Sequence, residues 1–496
     1  MNFLSEFKWA KGSGRDKDGN VLTENSALLV SDFVKAPCDL LIIPGDSRVE
    51  YKIDYPSDKS VVPAPGFLRN KGYVISCGFV FGLQIRFADS DVSPEIDELE
   101  KLGFTIKMCS PNQCVDIWDV PVGSFSLVPY FNGLKIKEKI KENMKPISPF
   151  GEYGHQSMTV LKNGKGYTIF TANNVTMKEY DCHTFTRFAV YDIKEPEKAR
   201  FYTVAAMGEN GNITIDGVAS LASLVDNGEN IVCHCYGFVG GVITEFRRIF
   251  DIETETFGEL EVCKILHEGK MYDFTNKTIF ELFGAKYGLT DVYSEIGIGP
   301  YFRYNDEWYT WAYTGSSRFC GILFKTRDFL TFEFVMIPDE SRGTKCEIIP
   351  YLYKDWMFVA FRRDYNFQRL EIVKYDMKTL VPLESIVLRD TSMRPYFYEY
   401  KGRLFLLHSP YLRMNTSIVE LSAERRFLNS KPVASIENFH ICTPCPVVYD
   451  NELYLTFSSR QGSHSQIFLT HFSPEMPYTA EQVNGMFLKL LDGETE

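Results

Sequence analysis

Four arginines, Arg362, Arg363, Arg394 and Arg460, could do the most specific chemistry this sequence offers. A guanidinium is a planar fork that donates two parallel hydrogen bonds to a carboxylate or sulfate. The chain carries a formal net charge of −12, so converging arginines would repel one another unless an anion or nearby carboxylates offset them. Three carboxylates, Asp216, Glu295 and Glu347, are candidates for that setting, together with His155, His408 and Tyr313. Two carboxyl groups about 5–5.5 Å apart suit retaining glycoside hydrolysis, and about 6.5–9.5 Å suits inversion. Sequence supplies no separation, so no acid or nucleophile is named; tying arginines in place is the simpler role for Glu295 and Glu347. Each arginine also fits a salt bridge between neighbouring repeats, and His155 a hydrogen-bonded core histidine. Trp308, Trp311, Tyr313 and Tyr365 offer flat faces for sugar rings, although Trp308 and Trp311 share a strand in which packing explains them.

The elements that must position these residues repeat a phrase. KCEIIPYLYKDWMFVAFRRD (345–364), TSMRPYFYEYKGRLFLLHSP (391–410) and ICTPCPVVYDNELYLTFSSRQ (441–461) share one order of parts. Each has a proline, an apolar-aromatic run, a two-residue polar break, a second apolar run and a polar or basic end. Such breaks fall at Asn163-Gly164, Asp226-Asn227, Asn305-Asp306, Lys354-Asp355, Lys401-Gly402 and Asp450-Asn451, the last four separated by 49, 47 and 49 positions. A period in the forties with paired strands around tight turns predicts propeller blades. RFAVYDIKEP, EFRRIFDIET, GILFKTRDFLTF, LEIVKYDMKT and SIVELSAERR read as third strands, most entering an Asp-containing turn.

In a blade the first strand lies nearest the axis. Its start and the end of the second strand emerge together, opposite the hairpin turn. The starts then contribute His155, Asp216, Glu295, Glu347, Arg394 and Thr443. The ends contribute Asn173, Asn174, His234, Tyr313, Arg362, Arg363, His408, Ser459 and Arg460. These residues are expected to line a central funnel.

Residues 5–110 alternate apolar and polar over short runs between turn clusters, which predicts an antiparallel β-sandwich over 1–130. EIDELEKLGF (95–104) suits one or two helical turns. GLKIKEKIKENMKPISPF (133–150) places Ile136, Ile140 and Met144 four apart, so 131–150 is expected to be a short amphipathic helix and linker. Packing against either domain, or a homo-oligomer contact, would use that apolar face. The fold class expected is all-β, a β-sandwich followed over 151–496 by a six-bladed β-propeller, with five blades as the alternative. MGENGNITID and HEGKMYDFTNKTIFELFGAKYG read as insertions, and helical periodicity is nearly absent after 150.

Aromatic content of 15% favours strands and suits glycan-binding surfaces. The acidic balance argues against a nucleic-acid partner, which needs a basic face. No apolar run approaches the roughly 18 residues of a membrane span, so no membrane insertion is expected, and the start shows no secretion signal. Twelve cysteines are scattered, with Cys77, Cys233, Cys320 and Cys346 inside apolar runs, a pattern of reduced buried thiols. CTPC (442–445) is a lone C-x2-C whose Thr-Pro suits a strand start; no metal and no cofactor are expected.

Residues 151–490 resemble the sialidase-like six-bladed propellers and, more distantly, five-bladed glycosidase propellers. The resemblance rests on MRPYFYEYKGRLFLLHS around Arg394, FRRDYNFQRLEIVKYD around Arg363, and GIGPYFRYNDEWYTWAY followed by KTRDFLTFEFV. It implies a glycan ligand and, for Arg363, Arg394 and Arg460, a role like that of the family's arginine triad, which holds a substrate carboxylate. The Asp-box survives only as TRDFLTF (326–332), no Arg-Ile-Pro opening occurs, and the tyrosine–glutamate nucleophile pair is not placed. LLIIPGDSRVEYKIDYPSDKSVV is similar to small sandwiches ahead of glycan-active modules in phage tail and gut bacterial surface proteins. The expectation is a phage tail or receptor-binding protein on a virion, with other virion proteins as partners of the first domain. The alternatives are a secreted or cell-surface bacterial glycoside hydrolase of the sialidase-like superfamily, and a non-catalytic protein-interaction propeller.

Overall fold

The polar breaks close hairpins. Asn163-Gly164, Asn305-Asp306, Lys401-Gly402 and Asp450-Asn451 hold both residues at positive φ, 52° and 74°, 49° and 63°, 49° and 70°, and 49° and 62°. Two consecutive residues of that hand form the turn whose twist matches the flanking strands, and Asn, Asp and Gly adopt it at least cost. The second break differs from expectation. Its strands end at Asp226 and resume at Ile231, and the Asp226 carboxylate accepts the Gly228 N–H at 2.8 Å across this longer loop.

The computed structural model describes residues 4, 7–12, 14–15, 21–22, 27–35, 40–43, 45–54, 68–69, 73–75, 80–88 and 90–108, and 128–483 except 178–180, 218, 288–296, 315–319, 339–347, 364–368, 391–393, 412, 425–427, 462–463 and 476. It divides after Leu127 into two compact units.

In the second unit, among the described residues, the hairpins grow into six antiparallel blades. The innermost strands, blades 1 to 6, are Tyr153–Lys162, Ala219–Asp226, Gly297–Tyr304, Ile348–Tyr353, Tyr396–Tyr400 and Cys442–Tyr449. Each lies beside the next and the last lies beside the first, so the ring closes as a six-bladed propeller. The second strands are Lys165–Asn173, Ile231–Val239, Glu307–Thr314, Trp356–Arg363, Arg403–Tyr411 and Glu452–Gln461. After the third strands of blades 1 to 4, Asp192, Asp251, Asp328 and Asp376 each accept the backbone N–H two residues on, at 2.8, 2.9, 2.9 and 2.9 Å. These are the Asp turns the sequence led us to expect, and Asp328 is the aspartate of TRDFLTF.

Blade 6 has three strands of its own, and Lys145–Pro146 pairs with Leu469 and Phe468 as its fourth. The helix before it runs Val128–Asn143, beginning earlier than the spacing suggested, and buries Ile136 and Ile140 among Phe405, Val433, Leu455 and Phe468 of blades 5 and 6. The stretch expected as a linker is thus part of the propeller unit, and the helix's apolar face is occupied there. MGENGNITID forms the hairpin Gly208–Asn210 and Ile213–Ile215. HEGKMYDFTNKTIFELFGAKYG corrects the expectation of almost no helix: its strand Lys270–Asp273 pairs with Lys264–His267, which adds in parallel to the outer strand of blade 3, and Asn276–Tyr287 is helical. Ile279 and Phe283, four apart, bury beside Phe324 and Phe332, and Phe280 and Leu282 pack partly buried against the same cluster; apolar residues at adjacent positions blur the helical period amid strands.

Among the described residues the two larger sheets of the first unit are antiparallel, ordered Trp9–Gly12, Leu28–Ser31, Val80–Phe87, Val49–Asp54, Leu68–Arg69, with Val34–Lys35 also on Val80–Phe87, and Thr105–Met108, Leu40–Ile43, Tyr73–Ile75; Gly14–Arg15 and Val21–Leu22 form a separate pair. Val49, Tyr51 and Ile53 alternate with partly exposed neighbours, as a strand with one covered face must. They join Phe81, Leu83, Ile85, Leu40, Ile42 and Ile106 in one apolar cluster fed by both sheets. The helix Ile96–Lys101 contributes Leu99 to that cluster, matching the one or two turns expected.

Candidate functional site

The face opposite the hairpin turns carries the strand ends singled out above, and on blades 5, 6 and 1 they converge. On blade 1, His155 is buried, its Nδ1 3.1 Å from Ser458 Oγ of blade 6. Ser458 Oγ donates to the Cys442 carbonyl at 3.2 Å, so His155 Nδ1 is the donor of the pair. This bond joins the two ends of the ring. On blade 6, Arg460 is exposed, and its backbone N–H donates to His440 Nδ1 at 3.2 Å.

His440 is the residue that sequence reasoning missed. It precedes the innermost strand of blade 6, and its segment is laced to the turn between the second and third strands of blade 5. There Phe439 and Ile441 donate to the carbonyls of Met414 and Arg413 at 3.0 and 3.1 Å. Burial, then the Arg460 and Arg413 guanidiniums and His155, hold its imidazole neutral, pulling it down from 6.5 to about 4. Starting the strand list three residues earlier, at FHICTPC, would have found it.

Arg394, on blade 5, is buried, with its guanidinium 5.7 Å from the centre of the Tyr396 ring. Its field reaches the thiol of Cys445, which burial nonetheless pushes up to about 11. Cys442 and Cys445 are buried free thiols. CTPC is a bulge in the innermost strand, with Thr443 at φ 46°. Among the described residues no group of three or more His, Cys, Asp or Glu could hold a metal ion.

Other candidates sit elsewhere. His408 is completely buried, its Nδ1 3.6 Å from Asp390 Oδ2, and that oxygen accepts the Ser409 N–H at 2.9 Å; it belongs to the wall, with no exposed surface to offer a ligand. His234 is likewise buried, with Nε2 2.7 Å from the Phe329 carbonyl and Nδ1 3.1 Å from Tyr301 Oη. Asn173 is buried and organises the loop after it, accepting from the N–H groups of Val175 and Thr176 at 3.0 Å. Asp216 is exposed and accepts the Gly241 N–H at 3.1 Å, capping the turn between the second and third strands of blade 2. Arg362 is half-buried in the second strand of blade 4. Tyr313 and Arg363 occupy second-strand ends, opposite Gly321 and Arg369, and their side chains lie outside the described residues, as do Glu295, Glu347 and Tyr365. Trp311 is fully buried and Trp308 packs on Phe329, as blade packing requires.

The arrangement gathers guanidinium and imidazole donors from three blades around one rim. Arginines recognise anions by charge-assisted hydrogen bonds. A neutral imidazole adds a donor or acceptor for a hydroxyl.

No protein-family model matches this sequence, and no curated relative matches it. Among solved structures it is similar to a sialidase from Trypanosoma rangeli, with TM-score 0.49 and 13% identity over 71% of this chain and 61% of that one. The same sialidase with sialic acid bound gives 0.48 and 11% over 71% and 60%. A family 117 glycoside hydrolase from Zobellia galactanivorans gives 0.35 and 9% over 66% and 90%. The match thus spans about 60% of the length of the trypanosomal sialidase chains. Among the described residues no helix is long and apolar enough to cross a membrane.

Proposed function

We propose that this chain is a carbohydrate-recognising propeller that engages an acidic or decorated glycan on the funnel face, through blades 5, 6 and 1. The observation that carries this reading is the convergence of Arg460, Arg413 and His155 about His440 in a chain whose net charge is −12. A cationic rim in an acidic protein selects anions locally while the overall field repels polyanions such as nucleic acid. The first unit serves attachment, and the whole acts as a phage tail or receptor-binding protein on a virion.

Arrays of sialylated, uronic and sulfated glycans test the ligand class. Arg460→Ala should weaken binding by about tenfold or more, the worth of one charge-assisted hydrogen bond, with an unchanged thermal midpoint because Arg460 is exposed. Normal binding by that variant would overturn the reading. Release of free sugar or reducing ends would favour the sialidase-like hydrolase. A silent array with a captured protein partner would favour an interaction propeller. The virion role fails if the gene's neighbours encode no virion structural proteins.

A further inference from the structure

The ring has a seam where blade 6 meets blade 1, because the strand that completes blade 6 precedes blade 1 in the chain, whereas its other three strands come last. Most of the fourth strand that completes blade 6 comes from Lys145–Pro146, and proline offers no N–H to the ladder. Beyond it Ile147 donates to the Ile467 carbonyl at 2.8 Å, and Ser148 Oγ accepts the Ile467 N–H at 2.9 Å. A closure this short is weak on its own, since each such hydrogen bond replaces one made to water and adds little net stability.

We infer that the helix Val128–Asn143 is the clasp that keeps the ring shut, by tying the outer edges of blades 5 and 6 to the segment that completes the ring. Asn132 is buried and uses both ends of its amide. Its Nδ2 donates to the Val433 carbonyl on the outer strand of blade 5 at 2.9 Å, and its Oδ1 accepts the Tyr478 N–H, from the segment after blade 6, at 3.0 Å. Lys137 Nζ donates to the Glu437 carbonyl at 2.9 Å, and Asn143 Nδ2 to the His471 carbonyl at 2.9 Å. Blade 6 answers with Thr470 Oγ1, which donates to the Ile140 carbonyl at 3.3 Å. The helix thereby satisfies backbone groups of two adjacent blades that would otherwise remain open edges.

Gly133 shows how close the clasp sits. A Cβ there would lie 1.7 Å from the Ser435 carbonyl oxygen and 2.3 Å from its carbon, both backbone. No side chain can be accommodated without lifting the helix from blade 5. Beneath it, Ile136 and Ile140 share one cluster with Tyr398 and Phe405 of blade 5 and Phe457 and Phe468 of blade 6. The clasp therefore spans the blades whose ends carry Arg394, Arg460 and His440, and its release would loosen that rim without touching a rim residue.

Hydrogen exchange on the full-length chain tests this, comparing the native protein with Gly133→Val and with the milder double variant Asn132→Ala/Asn143→Ala. The expected result is a loss of protection on the order of tenfold or more in 145–148, 430–441 and 452–472, with blades 2 and 3 unchanged, because local opening exposes only the elements it releases. If Gly133→Val does not fold, the double variant carries the same expectation. Equal loss over all six blades would overturn the clasp, since the helix would then be general ballast. Unchanged protection in blade 6 in the double variant would overturn it as well.

Discussion

Two seams of the ring, between blades 3 and 4 and between blades 6 and 1, are built from the same repeated phrase and filled oppositely. The first is dry and aromatic. Trp311 meets Phe361 edge-on at 5.6 Å and 90°, and Gly321 leaves the space that Trp311 and Ile348 fill; a Cβ there would lie 2.4 Å from Ile348 Cδ1. The second seam holds a chain of hydroxyls. Thr159 Oγ1 lies 2.8 Å from Thr168 Oγ1 and 2.8 Å from Thr456 Oγ1, and Thr168 Oγ1 lies 2.8 Å from Tyr191 Oη. Beside it stand His155 and Ser458. Side-chain packing builds both seams, one from aromatic and aliphatic groups and the other from hydroxyls. Buried polar groups are tolerated in the second seam because they satisfy one another.

The contrast predicts unequal sensitivity. The largest effect should come from Trp311→Ala, which empties the dry seam and should cost about 3–5 kcal/mol, read by denaturant unfolding. A loss well under 1 kcal/mol would mean that the aromatic seam does not hold the ring.

Next comes Glu245, a side chain of a charged type sealed in the third strand of blade 2. It is fully buried, and neither carboxyl oxygen has a hydrogen-bond partner among the described residues. Burial raises its pKa well above the usual 4.5. The folded protein holds the proton that the unfolded chain gives up, so this group's contribution is intact below pH 4.5 and is lost as pH rises. Glu245→Met should therefore stabilise at pH 7 by about 1–3 kcal/mol, the cost of an unsatisfied buried group, and by less at pH 4. A destabilised variant at pH 7 would show that the carboxyl has a structural partner.

In the hydroxyl-lined seam, Thr159→Val keeps the shape and removes the central hydroxyl. A loss of about 1 kcal/mol is expected, and a neutral result would mean that the hydroxyl chain is incidental. At neutral pH the smallest stability effect belongs to His440. Its depressed pKa means that its contribution is present above pH 6.5 and is lost as pH falls toward 4. His440→Asn should flatten the thermal midpoint over that window, and an unaltered pH profile would place the imidazole in solvent.

The hairpin turns and the Asp turns were legible because each needs particular residues at fixed offsets: Asn163, Lys401 and Asp450 adopt positive φ, and Asp251 and Asp376 accept local N–H groups. The helix at Asn276–Tyr287 and the longer loop after Asp226 were not legible, since neither departs far from strand-and-turn patterning. The site was half legible. Placing His155, Arg394 and Arg460 at strand ends followed from the repeat. Separating Arg460, exposed, from His408, sealed in the wall, did not, because strand alternation and neighbouring blades jointly set the direction a side chain takes.

By itself the sequence determined the local grammar of this protein: strand, tight turn, strand and Asp turn, repeated along the second unit, with a count of six or five blades left for the structure to decide. Those features depend on φ preferences and hydrogen bonds within a few residues, which composition encodes directly. Only the tertiary structure decided which ends meet. His155 bonds Ser458 across 303 positions, and Asn132 reaches Val433 across 301. Contacts at that separation arise from closure of the ring, where the packing of whole blades, and not any local preference, selects the partner.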